Sequence, residues 1–385
     1  MATHAHPANI HVDVLRWSME RAGLSDEDLA DYVGTSLSIV QAWLNGTRKP
    51  TFPQAKKIAS KTRVPFGFLF LPSPPSEALP IPDFRTVAGR PVGEVSLDLR
   101  DLVLDSIVKQ DWLSEYRKES GASEVEFVGS ARPDASAKTI ASDIRSWINL
   151  DNIPIRSKNA DQHLRTLIRR VESIGVLVLR SGVVGNNTSR PLSVREFRGF
   201  SLSDRFAPLI FINSLDSKSA QSFTLMHELG HIWRGDSGIS GGLQQSSSGV
   251  ETLCNKVAAE VLVPGSEFEE QWRLGASVED SIELCSEYFR ASKYVVAIRA
   301  YESGLIDRDT VNQLLSRFES FASIRTQSPS GNFYNSLIAR NGVEFTSAVV
   351  TAVSRQQILL KDAANLLGSK IQHLPRIARE VSQRA

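Results

Sequence analysis

Apolar residues recur at helical spacing through residues 9–71, and Gly23, Gly34 and Gly46 break that pattern into short segments. Ser25 reads as the N-cap of a helix from Asp26 to Val33. A Gly34-Thr35 turn leads to a second helix from Ser36 to Leu44, closed by Gly46. Residues 72–95 are broken by prolines, which block helix continuation, and read as a linker or extended strap. Residues 96–175 return to helical spacing in about three segments. The period then shortens: Val176–Leu179, Glu196–Ser203 and Pro208–Asn213 read as strands. Helices follow over Lys218–Trp233 and Glu251–Leu262, separated by the exposed-loop composition SGISGGLQQSSSG, and Pro264 ends the second. The remainder reads as mostly helical, with a break near 327–331. The pattern predicts an α+β chain that is mostly helical, with a small sheet containing antiparallel pairs and a helical C-terminal region.

Three stretches share one spacing. Ala30, Ser36 and Val40 are set apart like Ser286, Ser292 and Val296, and like Ala364, Lys370 and Leu374. A small residue on one helix facing a branched residue on the next suits a helix-turn-helix. Helical hairpins that merely pack satisfy the second and third copies equally well.

Composition narrows the class. The chain has 385 residues, 41% apolar and 23% charged, an ordinary globular profile with room for two or three domains. A formal charge of +1 gives no molecule-wide field toward nucleic acid, so any DNA contact needs a local patch. Residues 45–63 hold such a patch, with six basic residues and no acidic one. The two cysteines, Cys254 and Cys285, form no CxxC pair, which excludes a disulfide framework and fits a reducing compartment. The opening MATHAHPANI is unlike a secretory signal, and Phe66–Leu71 is too short to cross a bilayer. The expectation is a cytoplasmic protein with no membrane partner.

The strongest chemical signal is His227-Glu228-Leu229-Gly230-His231. Residues four apart share one helical face, so two imidazoles can hold one zinc ion while the glutamate reaches water beside it. Phe223, Leu225, Met226, Leu229, Ile232 and Trp233 surround the pair, which predicts a buried helix. A third ligand must come from elsewhere. Glu251 and Glu260 lie nine residues apart, roughly 900° of rotation, so only one can face the metal. Glu251 shares its face with Asn255, which can orient a ligand carboxylate, and is the choice here. Glu260 is left to pair with a base. Cys254 and Cys285 read as small buried hydrophobes, and Tyr288 and Tyr294 read as packing residues that are candidates for a second electrophile.

HELGH followed by ETLCNKVAAEVLVP resembles the ImmA/IrrE family of metallopeptidases, with Glu251, Asn255, Ala258, Ala259, Glu260, Leu262 and Pro264 on the family pattern. The resemblance covers roughly residues 170–300. It implies a gluzincin-like zinc domain with His227, His231 and Glu251 as ligands and Glu228 as general base. It also implies a regulatory protein as substrate, a helix-turn-helix repressor or antitoxin. The run GLSDEDLADYVGTSLSIVQAWLNGTRKP resembles Cro/C1-type helix-turn-helix domains, implying a five-helix bundle. That resemblance places Ser36, Leu37, Ser38 and Gln41 toward a major groove and Arg48, Lys49, Lys56 and Lys57 toward phosphates of double-stranded DNA.

The expected organisation is therefore a helix-turn-helix domain (9–71), a linker (72–95), a helical connecting region (96–175), a zincin-like domain (176–326) and a helical, helix-turn-helix-like module (327–385). Two functions compete: an active protease acting on a regulator, and a DNA-binding regulator that uses the zinc fold as a scaffold. Glu228 favours the first, because a scaffold can dispense with a general base. A structural zinc would need a fourth ligand, and His163 and His373 lie outside the motif. Strand 196–203 is also expected to offer its edge to an extended peptide.

Overall fold

The computed structural model describes residues 6–75, 95–152, 157–240, 249–275, 277–322 and 332–383, together with a two-residue ladder between Thr86–Val87 and Arg90–Pro91. The linker reading at 76–85, most of the Gly/Ser loop and the break at 327–331 lie outside the described residues. Contacts divide the chain into two units, Met1–Pro80 and Ile81–Ala385.

The first unit contains α1 (Val12–Arg21), α2 (Asp26–Val33), α3 (Leu37–Leu44) and α4 (Phe52–Thr62). The expected fifth helix takes the tighter 3-10 form over Phe66–Phe70, entered through Pro65, which removes a backbone donor. Ser25 caps α2 in a full capping box: its hydroxyl accepts from the Asp28 N–H at 3.1 Å, and the Asp28 carboxylate accepts from the Ser25 N–H at 3.2 Å. Gly34 takes φ +78°, a left-handed cap that a side chain would strain, and this turns the chain into α3. Val14, Leu15, Leu29, Val40, Trp43 and Ile58 fill the core.

In the second unit a four-stranded sheet contains β1 (Leu177–Ser181), β2 (Gly199–Leu202), β3 (Leu209–Asn213) and β4 (Gly238–Ser240), in spatial order β1-β3-β2-β4. β1 pairs parallel with β3, while β2 is antiparallel to both β3 and β4, so the sheet is mixed. β3 is buried throughout because it is central, which explains its unbroken apolar run. The expected free edge of strand 196–203 is corrected by this order. β2 is paired on both sides, and β4 is the strand at the border.

Helix α8 (Lys218–Arg234) lies on the sheet and is buried on all sides from Gln221 to Trp233. Ser217 caps its start, and Gly235 at φ +75° closes it. Its last carbonyls are satisfied from outside: Gly129 donates to Ile232 O at 3.0 Å and Ala131 to Trp233 O at 2.9 Å. Phe127 stacks on Trp233 at 4.2 Å, and the Trp233 indole donates to Asp143 at 2.7 Å. Residues from α6 (Ala137–Trp147) and α7 (Ala160–Ser173) share one core with α8 and α9 (Gly249–Leu262), so the stretch read as connecting packs as part of the domain. α5 (Leu97–Glu119) binds from the far side, where Gln110 donates to Leu202 O and Ala207 O at 2.8 Å each.

The last four helices are α14 (Phe333–Asn341), α15 (Val343–Ser354), α16 (Leu360–Leu366) and α17 (Leu374–Ser382). α14 and the turn after it pack on β1. Gly342 has φ +76°, and a Cβ there would lie 2.7 Å from Leu177 Cδ1 and 3.2 Å from Val178 O. Arg117 ties α5 to this region by pairing with Glu344 while donating to Gly175 O at 3.0 Å. No helix among the described residues is long and apolar enough to cross a membrane.

Candidate metal centre

One turn of α8 separates His227 from His231, and both rings project toward α9. Their Nε2 atoms lie 3.2 Å apart. Glu251, in the first turn of α9, reaches both, with 3.4 Å from Oε2 to His227 Nε2 and 3.0 Å from Oε1 to His231 Nε2. The three ligand atoms fall within 4.8 Å of one another, and all three residues are buried. Two imidazole nitrogens and a carboxylate oxygen converging on one buried point form the donor set of a three-ligand catalytic zinc site.

The electrostatics follow from that convergence. Burial pushes the His227 pKa down, but the hydrogen bond it donates to Glu251 and the charges of Glu228 and Glu251 carry it above its ordinary value, with Asn255 contributing. Burial likewise opposes ionisation of Glu251, yet hydrogen bonds from His227 and His231 hold it down at about 2. Glu251 is therefore anionic and equipped to bind a cation. Asn255, one turn after Glu251 on α9, also hydrogen-bonds the His227 ring.

Glu228 is 0% exposed, and neither carboxylate oxygen has a hydrogen-bond partner of good geometry, the Ser240 hydroxyl facing it only loosely. Burial first, and then the Glu251 charge, raise its pKa against the pull of the two imidazoles. An orphaned carboxyl is costly to bury and signals a group that works on something else. The residues present fit a metal ion at the convergent point, with a reacting group beside Glu228.

Two glycines shape the site. A Cβ on Gly230, inside α8, would lie 3.3 Å from Cys254 Sγ and 3.4 Å from its Cβ, so the two ligand helices meet here at close range. A Cβ on Gly199, in β2, would fall 2.5 Å from Thr224 Cγ2, 2.8 Å from Phe211 O and 3.2 Å from Glu228 Oε1. Gly199 escaped the sequence reading, although a glycine inside a strand signals a close approach.

The remaining candidates fall elsewhere. Glu260 pairs with Arg299, as expected of the carboxylate turned from the metal. Cys254 is fully buried, and burial raises its pKa further from the thiolate. Burial pushes Cys285 up to about 11. Tyr288 packs edge-on against Phe289 at 4.8 Å, and Tyr294 is half-buried on α12 (Lys293–Glu302). His163 is a buried residue of α7, and His373 contacts Tyr334 Oη at 3.2 Å. In the first unit Ser36, Leu37, Ser38, Gln41, Arg48, Lys49, Lys56 and Lys57 are all exposed. Lys57 donates to Val33 O at 2.7 Å, Lys49 binds Asn9, and Ser36 and Ser38 share a 2.9 Å hydroxyl contact.

A small mixed sheet backs a helix with two imidazoles, answered by a carboxylate on the next helix, in a group that can hold a metal ion. Residues 171–301 match the family model described as the IrrE N-terminal-like domain, peptidase M78, as the sequence resemblance implied. Residues 15–69 match a helix-turn-helix family. No curated protein and no solved structure matches the chain. The IrrE-like match contains His227, Glu228, His231 and Glu251, and the helix-turn-helix match contains α2 and α3.

Proposed function

We propose that the chain is a zinc-dependent endopeptidase that cleaves a regulatory protein of the repressor or antitoxin class. The observation that carries the reading is the Glu228 carboxyl, fully buried beside three converging ligand atoms. His227, His231 and Glu251 would hold the zinc, whose Lewis acidity polarises a peptide carbonyl and activates water. Glu228 takes the proton from the attacking water and delivers it to the leaving amine. Burial suits this role, because a carboxyl with a raised pKa is a better base and can return the proton. β4, at the sheet border, supplies main-chain groups on which an extended peptide can align. We read the exposed residues of α3 and α4 as the surface that brings the protease to duplex DNA or to a partner's helix-turn-helix.

Co-expression with the product of the neighbouring gene tests the reading, comparing the unaltered chain with Glu228→Gln. Cleavage by the first and none by the second is expected, with equal metal content in both. Cleavage that survives Glu228→Gln removes the assigned mechanism.

A further inference from the structure

The threefold spacing of the sequence is a repeated backbone geometry. Gly34, Arg290 and Gly368 occupy the same place in each copy, with φ +78°, +54° and +57°. Two residues later Ser36, Ser292 and Lys370 open the second helix with φ/ψ of −85°/153°, −72°/149° and −92°/149°. The first and third copies share a further bond: Thr35 N–H donates to Ala30 O at 3.0 Å, and Ser369 N–H donates to Ala364 O at 2.8 Å. Val40, Val296 and Leu374 are buried at the matching point of the second helix.

The copies differ in what they present. The middle copy is built into the core: among residues 291–300 only Lys293 is exposed, and Arg299 is tied to Glu260. It has no helix face to offer. The first copy is open but acidic, since residues 25–44 hold four acidic residues and no basic one. The third copy is open and basic, since residues 359–380 hold four basic residues and two acidic ones, one of which, Glu380, lies 3.6 Å from Arg376 Nε. Its exposed stripe is Ile371, Gln372, Pro375, Arg376 and Arg379, the positions a recognition helix turns outward. Arg376 is held over the Tyr334 ring at 4.2 Å.

We propose that α16, the Gly368 turn and α17 form a second helix-turn-helix that docks on duplex DNA, with Lys370, Arg376 and Arg379 meeting phosphates. The exposed cations fit the phosphates of duplex DNA. The third copy carries them on and just before its recognition helix, whereas the first copy keeps its own outside α2–α3, in the loop before α4 and on α4. Gln372 and Ile371 sit where an amide and a methyl contact read base edges.

The test uses the full chain and a short labelled duplex of mixed sequence, followed by anisotropy between about 50 and 200 mM salt. Lys370→Gln/Arg379→Gln keeps Arg376 and its stacking, and equal thermal unfolding shows that the fold is intact. Each lost phosphate contact removes about 0.9 from the slope of log affinity against log salt, so the double variant should lose about 1.8. Across that salt range the unaltered chain then weakens about tenfold more than the variant. Arg48→Gln/Lys56→Gln, in the first unit, should leave that difference in place. A chain without salt-dependent duplex affinity, or a variant with an unchanged slope, overturns the proposal. The measurement needs neither metal nor cleavage, so its outcome is separable from the protease reading.

Discussion

The contact between Gly230 and Cys254 sets the distance between the two ligand helices, and a single methyl tests it. In Gly230→Ala the new Cβ would sit 3.3 Å from Cys254 Sγ, 3.4 Å from its Cβ and 3.5 Å from its Cα. Comfortable carbon contacts begin near 3.5–4.0 Å, so α9 must retreat by about 0.3 Å. Overpacking of this kind costs about 1–3 kcal/mol, while alanine gains about 1 kcal/mol over glycine within a helix. The net loss of stability should therefore stay below about 2 kcal/mol. Glu251 lies one turn before Cys254 and moves with α9, away from His227 and His231. Supporting shifts at metal sites lower affinity about 10- to 100-fold, and an effect near tenfold is expected for zinc. Competition with a chromophoric chelator measures it, and urea unfolding separates it from stability. Cys254→Gly in the same chain removes both the 3.3 and the 3.4 Å contacts and should recover most of the affinity. Unchanged zinc affinity in Gly230→Ala, or no recovery in the double variant, would refute the reasoning that this contact spaces the ligands.

Two further outcomes follow from other parts of the molecule. Burial raises the Glu172 pKa to about 7, although its carboxylate accepts from Val343 N–H at 3.2 Å. The folded state thus holds the proton more tightly than the unfolded chain, so stability falls as pH rises from about 4.5 to 7 and is flat above. Glu172→Gln should flatten that fall, with a gain of up to about 3 kcal/mol at pH 8 offset by a weaker bond to Val343, as read by unfolding at pH 5 and pH 8. Gly199→Ala drives a methyl into Thr224 and the Phe211 carbonyl and presses on Glu228, so cleavage should drop at least tenfold while zinc stays bound. Activity close to that of the unaltered chain would show that β2 has room to yield.

The parts of the site legible in the sequence are those fixed by helical spacing. The imidazoles of HELGH share a face because four residues make about one turn, and the opposite faces of Glu251 and Glu260 follow from the same geometry. The Ser25 cap was readable for a similar local reason, because capping involves residues three apart. The cover on β2 was not legible. β4 is three residues, Gly238–Ser240, at the start of a stretch whose Gly/Ser composition reads as loop, and it becomes a strand only because β2 lies alongside. Gly199 carried a signal but no partner, since its neighbours Thr224 and Glu228 are brought there by tertiary packing. The union of residues 96–175 with the metal domain was hidden for the same reason. Its bonds, such as Gly129 to Ile232, join positions far apart in the chain. The fifth helix of the first unit is present in the tighter 3-10 form, entered through Pro65.

The turn at Gly342 has a consequence for the solution behaviour of the domain. α14 and this turn lie over β1, with the glycine backbone close against the Val178 carbonyl. A chain ending before residue 332 would uncover that flank while leaving His227, Glu228, His231 and Glu251 in place. Bare ladder groups on an apolar strand recruit like strands, so such a fragment would be prone to self-templated assembly. The C-terminal helices thereby act as a shield that keeps the sheet from growing on the β1 side.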